Sequence, residues 1–137
     1  PDEYGEFYPY PEEFAQLLYE ELNKLHEEFD LFGRVIIQSF DPSTLIEFRK
    51  LDDQIDQAML VNDQRQMQEY IDELGYTPEI WSPHYPLVTP EMVKEADERG
   101  MKVIPWTINT VMEMQRQLDM GVHGIITDYP DSAAVLR

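Results

Sequence analysis

The chain has 137 residues, the size of one ordinary domain, and a normal share of apolar residues with which to bury a core. Its formal net charge of -18 argues against a nucleic-acid backbone or an anionic membrane surface as partner, and reads most simply as solvated helix faces. With no cysteine there is no disulfide framework, and no apolar run approaches the roughly 18 residues of a spanning helix.

Residues 1 to 10 are rich in Pro, Gly, Tyr and acid and read as a loop. Tyr4, Phe7, Tyr8 and Tyr10 are unusual in a free tail and are expected to pack on something. Pro1 is not an initiator Met, so the chain reads as a processed or excised piece. Pro11, Glu12 and Glu13 open a helix, since Pro suits the first turn and acids suit its positive dipole end. Its apolar stripe is Phe14, Leu17, Leu18, Leu22 and Leu25, ending between Asp30 and Gly33.

VIIQSF, residues 35 to 40, is a buried strand. Asp41-Pro42 caps the helix that buries Leu45, Ile46 and Phe48. A weaker strand over 57 to 61 leads to a helix starting at Asp63, carrying Met67, Tyr70, Ile71 and Leu74 and leaving at Gly75. Glu79, Ile80 and Trp81 make a short strand that runs into the irregular SPHYPLV. Thr89-Pro90 caps a helix through Val93 and Ala96 that exits at Gly100. Val103 and Ile104 form another buried strand, which Pro105 ends because it cannot donate to a ladder. Asn109 or Thr110 caps a helix through Met112, Met114 and Leu118, with Gly121 at its exit. Gly124, Ile125 and Ile126 form a last buried run with Thr127, Asp128 and Tyr129 as its polar crest, and Ser132 to Leu136 add a helical turn.

The strands begin near Val35, Gln57, Glu79, Lys102 and His123, a spacing of about 22 residues that suits repeated strand-loop-helix-loop units. Alternation of buried strands with helices predicts an α/β fold with a parallel sheet. No linker divides the chain, so residues 1–137 read as one unit. A (β/α)8 barrel needs eight strands and about 250 residues, so these βα units make either a small open sheet or half of such a barrel.

Sites in such folds gather at the carboxyl ends of strands. Trp106 lies there, as core or as a ligand platform. His84 lies in the loop after Trp81, as a substrate contact or a packed loop residue. His26 falls on a polar helix face, and His123 at the amino end of the last run, where a structural role is expected. Ser39 has no neighbouring base, Asp41 reads as a cap, and Asp128 and Asp131 read as a cap and a turn. No HExxH, CxxC, GxSxG or Gly-rich phosphate loop occurs. From the residues alone there is no complete catalytic set.

VIIQSFDPSTL (35–45), IWSPHYPLVTPEMVKEADERGMKVIPWTIN (80–109) and GVHGIITDYPD (121–131) together resemble the glycerophosphodiester phosphodiesterase family, over its carboxyl-terminal half. The resemblance implies the second half of a TIM-type (β/α)8 barrel that hydrolyses glycerophosphodiesters to an alcohol and glycerol phosphate. It also implies two catalytic His and a divalent metal, Ca²⁺ or Mg²⁺, held by carboxylates. Those residues belong to the family's amino-terminal half, so no catalytic or metal residue is expected here, and the chain alone is expected to be inactive. What carries over is substrate-pocket wall: Ser39 and Phe40 from the QSFD match and Trp106 from the WT match; His84 joins them as a candidate substrate contact on its loop position alone. His123 stands where the family usually has Asp. The implied partners are a small-molecule diester and the missing amino-terminal half-barrel, with self-association of the unpaired half as a further expectation and no nucleic acid. A non-catalytic, self-standing half-barrel acting as a folding or binding unit is the other reading.

Overall fold

The computed structural model of the protein describes residues 9–31 and 33–136. The aromatic cluster expected at Tyr4, Phe7 and Tyr8 lies outside them, and Tyr10 is 74% exposed rather than packed. In chain order the elements are α1 (Pro11–Phe29), β1 (Ile36–Ser39), α2 (Pro42–Leu51), β2 (Asp56–Val61), α3 (Met67–Leu74), β3 (Ile80–Pro83), a 3-10 turn (Tyr85–Leu87), α4 (Pro90–Glu98), β4 (Lys102–Val103), α5 (Val111–Asp119) and α6 (Pro130–Ala133).

The four strands form one sheet in the order β1-β2-β3-β4, every pair parallel. Parallel neighbours in sequence order need a crossover each time, and right-handed crossovers stepping in one direction place all helices on the same face. The core agrees. Ile37, Met59, Trp81 and Val103 pack with Leu45, Phe48, Tyr70, Leu74, Val93 and Ala96 from the helices. The alternate residues Ile36, Gln38, Ala58, Ile80, Ser82, Ile104 and Ile126 line a concave space of about 210 Å³ on the other face. Among the described residues no element covers it, and Ile36 at the β1 edge is 50% exposed.

The expected caps hold. Asp41 Oδ1 accepts from Ser43 N–H at 2.9 Å, Thr89 Oγ1 from Met92 N–H at 3.1 Å, and Thr110 Oγ1 from Glu113 N–H at 3.3 Å. Gly75 ends α3 and Gly121 follows α5 with φ of 79° and 92°, the left-handed region that glycine enters without a Cβ penalty.

Four expectations change. The α1 stripe is rotated: Ala15, Leu18, Tyr19 and Leu22 meet the core, while Phe14, Leu17 and Leu25 are 45%, 52% and 42% exposed. Asp63 does not start α3. It accepts from Arg65 N–H and Tyr70 Oη, and the helix begins at Met67, after a capping box made by Gln66 and Glu69. Residues 123 to 126 are not a regular strand. Two backbone bonds, His123 N–H to Val103 O and Ile126 N–H to Pro105 O, both 2.9 Å, lay them beside β4, and Ile125 and Ile126 are only half-buried. The last helical turn starts earlier, at Pro130.

At the amino end of the sheet Glu79 joins three elements. Its Oε2 accepts Gln57 N–H and Arg49 Nη2, both at 2.7 Å, and Arg49 lies 4.6 Å over the Tyr76 ring. Burial pushes the Glu79 carboxyl up, but Arg49 and the Gln57 N–H outweigh it and hold it below its ordinary range. A depressed carboxylate stabilises fully above its unfolded pKa and loses that contribution as pH falls through the folded one. Glu79→Gln should therefore cost about 1–2 kcal/mol near neutral pH, the low end because the carboxylate is partly solvated. The gap should narrow as the wild-type carboxylate protonates. Urea unfolding of both proteins across the acid range checks this, and a gap independent of pH would rule the ion out.

Candidate functional site

The carboxyl edge of the sheet collects the chain ends after β1, β3 and β4. Pro105 stops the regular β4 ladder, yet pairing continues one step further as an isolated parallel bridge between His84 and Trp106. Trp106 N–H donates to Pro83 O at 3.1 Å, and Tyr85 N–H donates to Trp106 O at 2.8 Å. The indole Nε1 donates to Ser82 O at 2.8 Å, while Ser82 Oγ donates to Ile104 O at 2.6 Å. Trp106 is thus held by both backbone groups and by its ring nitrogen. The Trp106–Thr107 peptide bond is cis.

Three of the four residues read as pocket wall meet here. His84 stacks on Trp106 with ring centroids 5.0 Å apart and planes at 29°. Phe40 meets Trp106 edge-to-face at 5.3 Å and 87°. Such pairs add attraction beyond the area they bury. Phe40 remains 50% exposed, and Trp106 and His84 are half-buried. Ser39 does not join them. Its register partner is Met59, on the helix-facing row, and its hydroxyl accepts Asp41 N–H at 3.0 Å, tying the turn that carries Phe40.

The carboxylates of this edge are committed locally. Asp41 holds the α2 cap through Ser43 N–H and Thr44 Oγ1. Asp128 Oδ2 accepts Asn109 Nδ2 at 2.9 Å, and Asn109 Oδ1 accepts Asp128 N–H at 3.1 Å and Thr127 Oγ1 at 3.3 Å. Asn109, read as an alternative helix cap, instead clasps the final run to the loop after Trp106. His123 sits at the other end of the sheet. Its Nδ1 accepts Val103 N–H at 3.1 Å and its Nε2 lies 3.2 Å from Asp97, a structural role. His26 lies on the last turn of α1.

Among the described residues no three His, Asp or Glu side chains come together as a metal site, so these residues do not fit the divalent cation that the resemblance implies. The cluster offers apolar area, an aromatic face and fixed orientation, which suit contact with a ligand. Sequence reasoning passed over Gln117. It falls three residues after Met114 on the buried side of α5 and is 1% exposed, and a polar residue at core spacing was the available signal.

Residues 6–132 match the model of the Glycerophosphoryl diester phosphodiesterase family. A glycerophosphodiester phosphodiesterase of Bacillus altitudinis is 32% identical over 122 residues, covering 86% of this chain and 49% of that protein. A putative glycerophosphoryl diester phosphodiesterase from Silicibacter pomeroyi superposes with a TM-score of 0.76 at 25% identity, over 89% of this chain and 42% of the other. A phosphodiesterase from Oleispira antarctica, in complex with the product sn-glycerol-3-phosphate, does so at 0.77 and 23%, over 90% and 49%. The chain spans about half the length of the curated relatives it matches.

The Asn109 clasp sets one amide against the carboxylate and N–H of Asp128 and the hydroxyl of Thr127, so its neutrality matters. Asn109→Ala should cost about 0.5–1.5 kcal/mol. Asn109→Asp should cost more, because it removes the donor and sets a second negative charge against Asp128. Chemical denaturation of both variants checks the order, and an Asp variant as stable as wild type would refute it.

Proposed function

The chain belongs to the glycerophosphoryl diester phosphodiesterase family, and we propose that it is the second half of a TIM-type barrel that hydrolyses glycerophosphodiesters to an alcohol and glycerol phosphate. The observation that carries this reading is the contact of Phe40 and His84 with Trp106 at the carboxyl edge of a sequentially ordered parallel sheet. That edge is where barrels of this type build their sites. In this proposal the rings form the pocket wall, with Ser39 behind them fixing the Phe40 turn. The product held by the Oleispira protein supports a glycerol phosphate moiety as what the wall faces.

The divalent cation and the proton-transfer residues then come from the amino-terminal half. That half also covers the concave face where Ile36 stands half in water. A sheet face this apolar templates association, which favours a second half over a self-standing, non-catalytic unit. A flat indole in the wall buries the apolar side of a glycerol or head-group moiety and restricts its orientation.

In the assembled enzyme Trp106→Ala should weaken substrate binding by about 1–3 kcal/mol, seen mainly in KM, with kcat changed less. Melting of the same variant is needed beside the kinetics, because removing a core Trp costs about 3–5 kcal/mol of stability. A large drop in Tm with unchanged KM in the folded fraction would make Trp106 a packing residue and end the wall reading.

The 137-residue chain alone should not turn over glycerophosphocholine with Ca²⁺ or Mg²⁺, and should gain turnover when the amino-terminal half is supplied. Turnover by the purified chain alone would contradict the division of labour proposed here.

A further inference from the structure

We infer that Gln117 is a positioning residue that fixes the orientation of the Trp106 indole from the helix behind it; the inference rests on Trp106 being part of the pocket wall. Gln117 is 1% exposed on α5, and its amide meets two acceptors. Nε2 donates to Tyr85 O at 3.1 Å and to Glu113 Oε1 at 2.9 Å. With a carbonyl on one side and a carboxylate on the other, only the NH2 end can face them, so the flipped amide is excluded. Its Oε1 is buried without a partner. An apolar side chain of similar shape would avoid that unsatisfied oxygen, so the amide is poor economy for packing alone.

What the amide holds is the other end of the bridge at Trp106. Tyr85 carries its carbonyl to Gln117 and its N–H to Trp106 O, 2.8 Å away. The ring of the residue before it, His84, stacks on the indole. Tyr85 packs edge-on against His84 at 5.3 Å. The path Gln117–Tyr85–Trp106 therefore closes a ring of contacts through α5, whose cap, Thr110, is four residues after Trp106. Tyr85 O also accepts Val88 N–H at 3.2 Å, so removing the amide leaves that carbonyl with a partner, while the tether to α5 is lost.

Two measurements test this. The chain has two tryptophans, so 5-fluorotryptophan labelling gives two ¹⁹F signals, assigned with Trp106→Phe. Gln117→Leu should shift or broaden the Trp106 signal and leave that of Trp81 in place. Gln117→Met, unbranched and also without a donor, should do the same if the Leu variant folds poorly. An unmoved Trp106 signal in a folded variant overturns the inference. In the assembled enzyme Gln117→Leu should raise KM by about tenfold with kcat nearly unchanged. If Trp106→Ala raises KM and neither Gln117 variant does, the tether is refuted and the wall stands. If Trp106→Ala leaves KM unchanged, the wall reading fails, and the role of Gln117 in binding fails with it.

Discussion

Successive side chains on a strand point to opposite faces, so a sheet covered by helices on one face must present every second residue to something else. In this chain that constraint organises everything downstream. The row Met59–Trp81–Val103 is buried under the helices, and the neighbouring row Gln38–Ala58–Ile80 faces the uncovered hollow. Sequential order with all helices on one side curls the sheet around that hollow, as in one wall of a barrel. The position of the candidate site follows. The loops leaving β1, β3 and β4 converge on one rim because the strands are parallel and adjacent.

The two ends of the sheet use different chemistry. At the amino end, charge and hydrogen bonds hold strands and helices together, through Glu79 with Arg49 and the Gln57 N–H, and through His123 between Val103 and Asp97. At the carboxyl end the carboxylates of Asp41 and Asp128 are spent on a cap and a clasp. The free surface is left to the rings of Phe40, Trp106 and His84. A stable amino end with an aromatic rim opposite it lets loops at the rim vary without loss of the sheet.

The relatives give this arrangement its meaning. The chain matches the phosphodiesterase family over nearly its whole length, yet spans half or less of the curated relatives it matches.

Much of the fold was legible in the residues. Asp41-Pro42, Thr89-Pro90 and Thr110 fall where caps are needed, and caps are local: one side-chain oxygen finds an N–H two or three residues on. Short β-branched or apolar runs at about 22-residue intervals were enough for parallel strands and intervening helices. The resemblance located Phe40 and Trp106 and the loop after Trp81 located His84, but neither showed that they touch. Periodicity could not say which side of α1 faces inward, since Leu18 and Leu22 sit beside Leu17 and Leu25 on a broad apolar arc, and the docking against α2 chose between them. Nor could it show that Asp63 holds Tyr70 rather than capping α3. By itself the sequence determined most of the elements and the parallel sense of the sheet, which depend on spacing and local capping, and, through its motifs, the family. Only the tertiary structure decided that Trp106 is tied to His84 and Ser82, that Asn109 clasps Asp128 and that Gln117 reaches Tyr85, because each joins residues 19 to 32 positions apart that meet only once the sheet has formed.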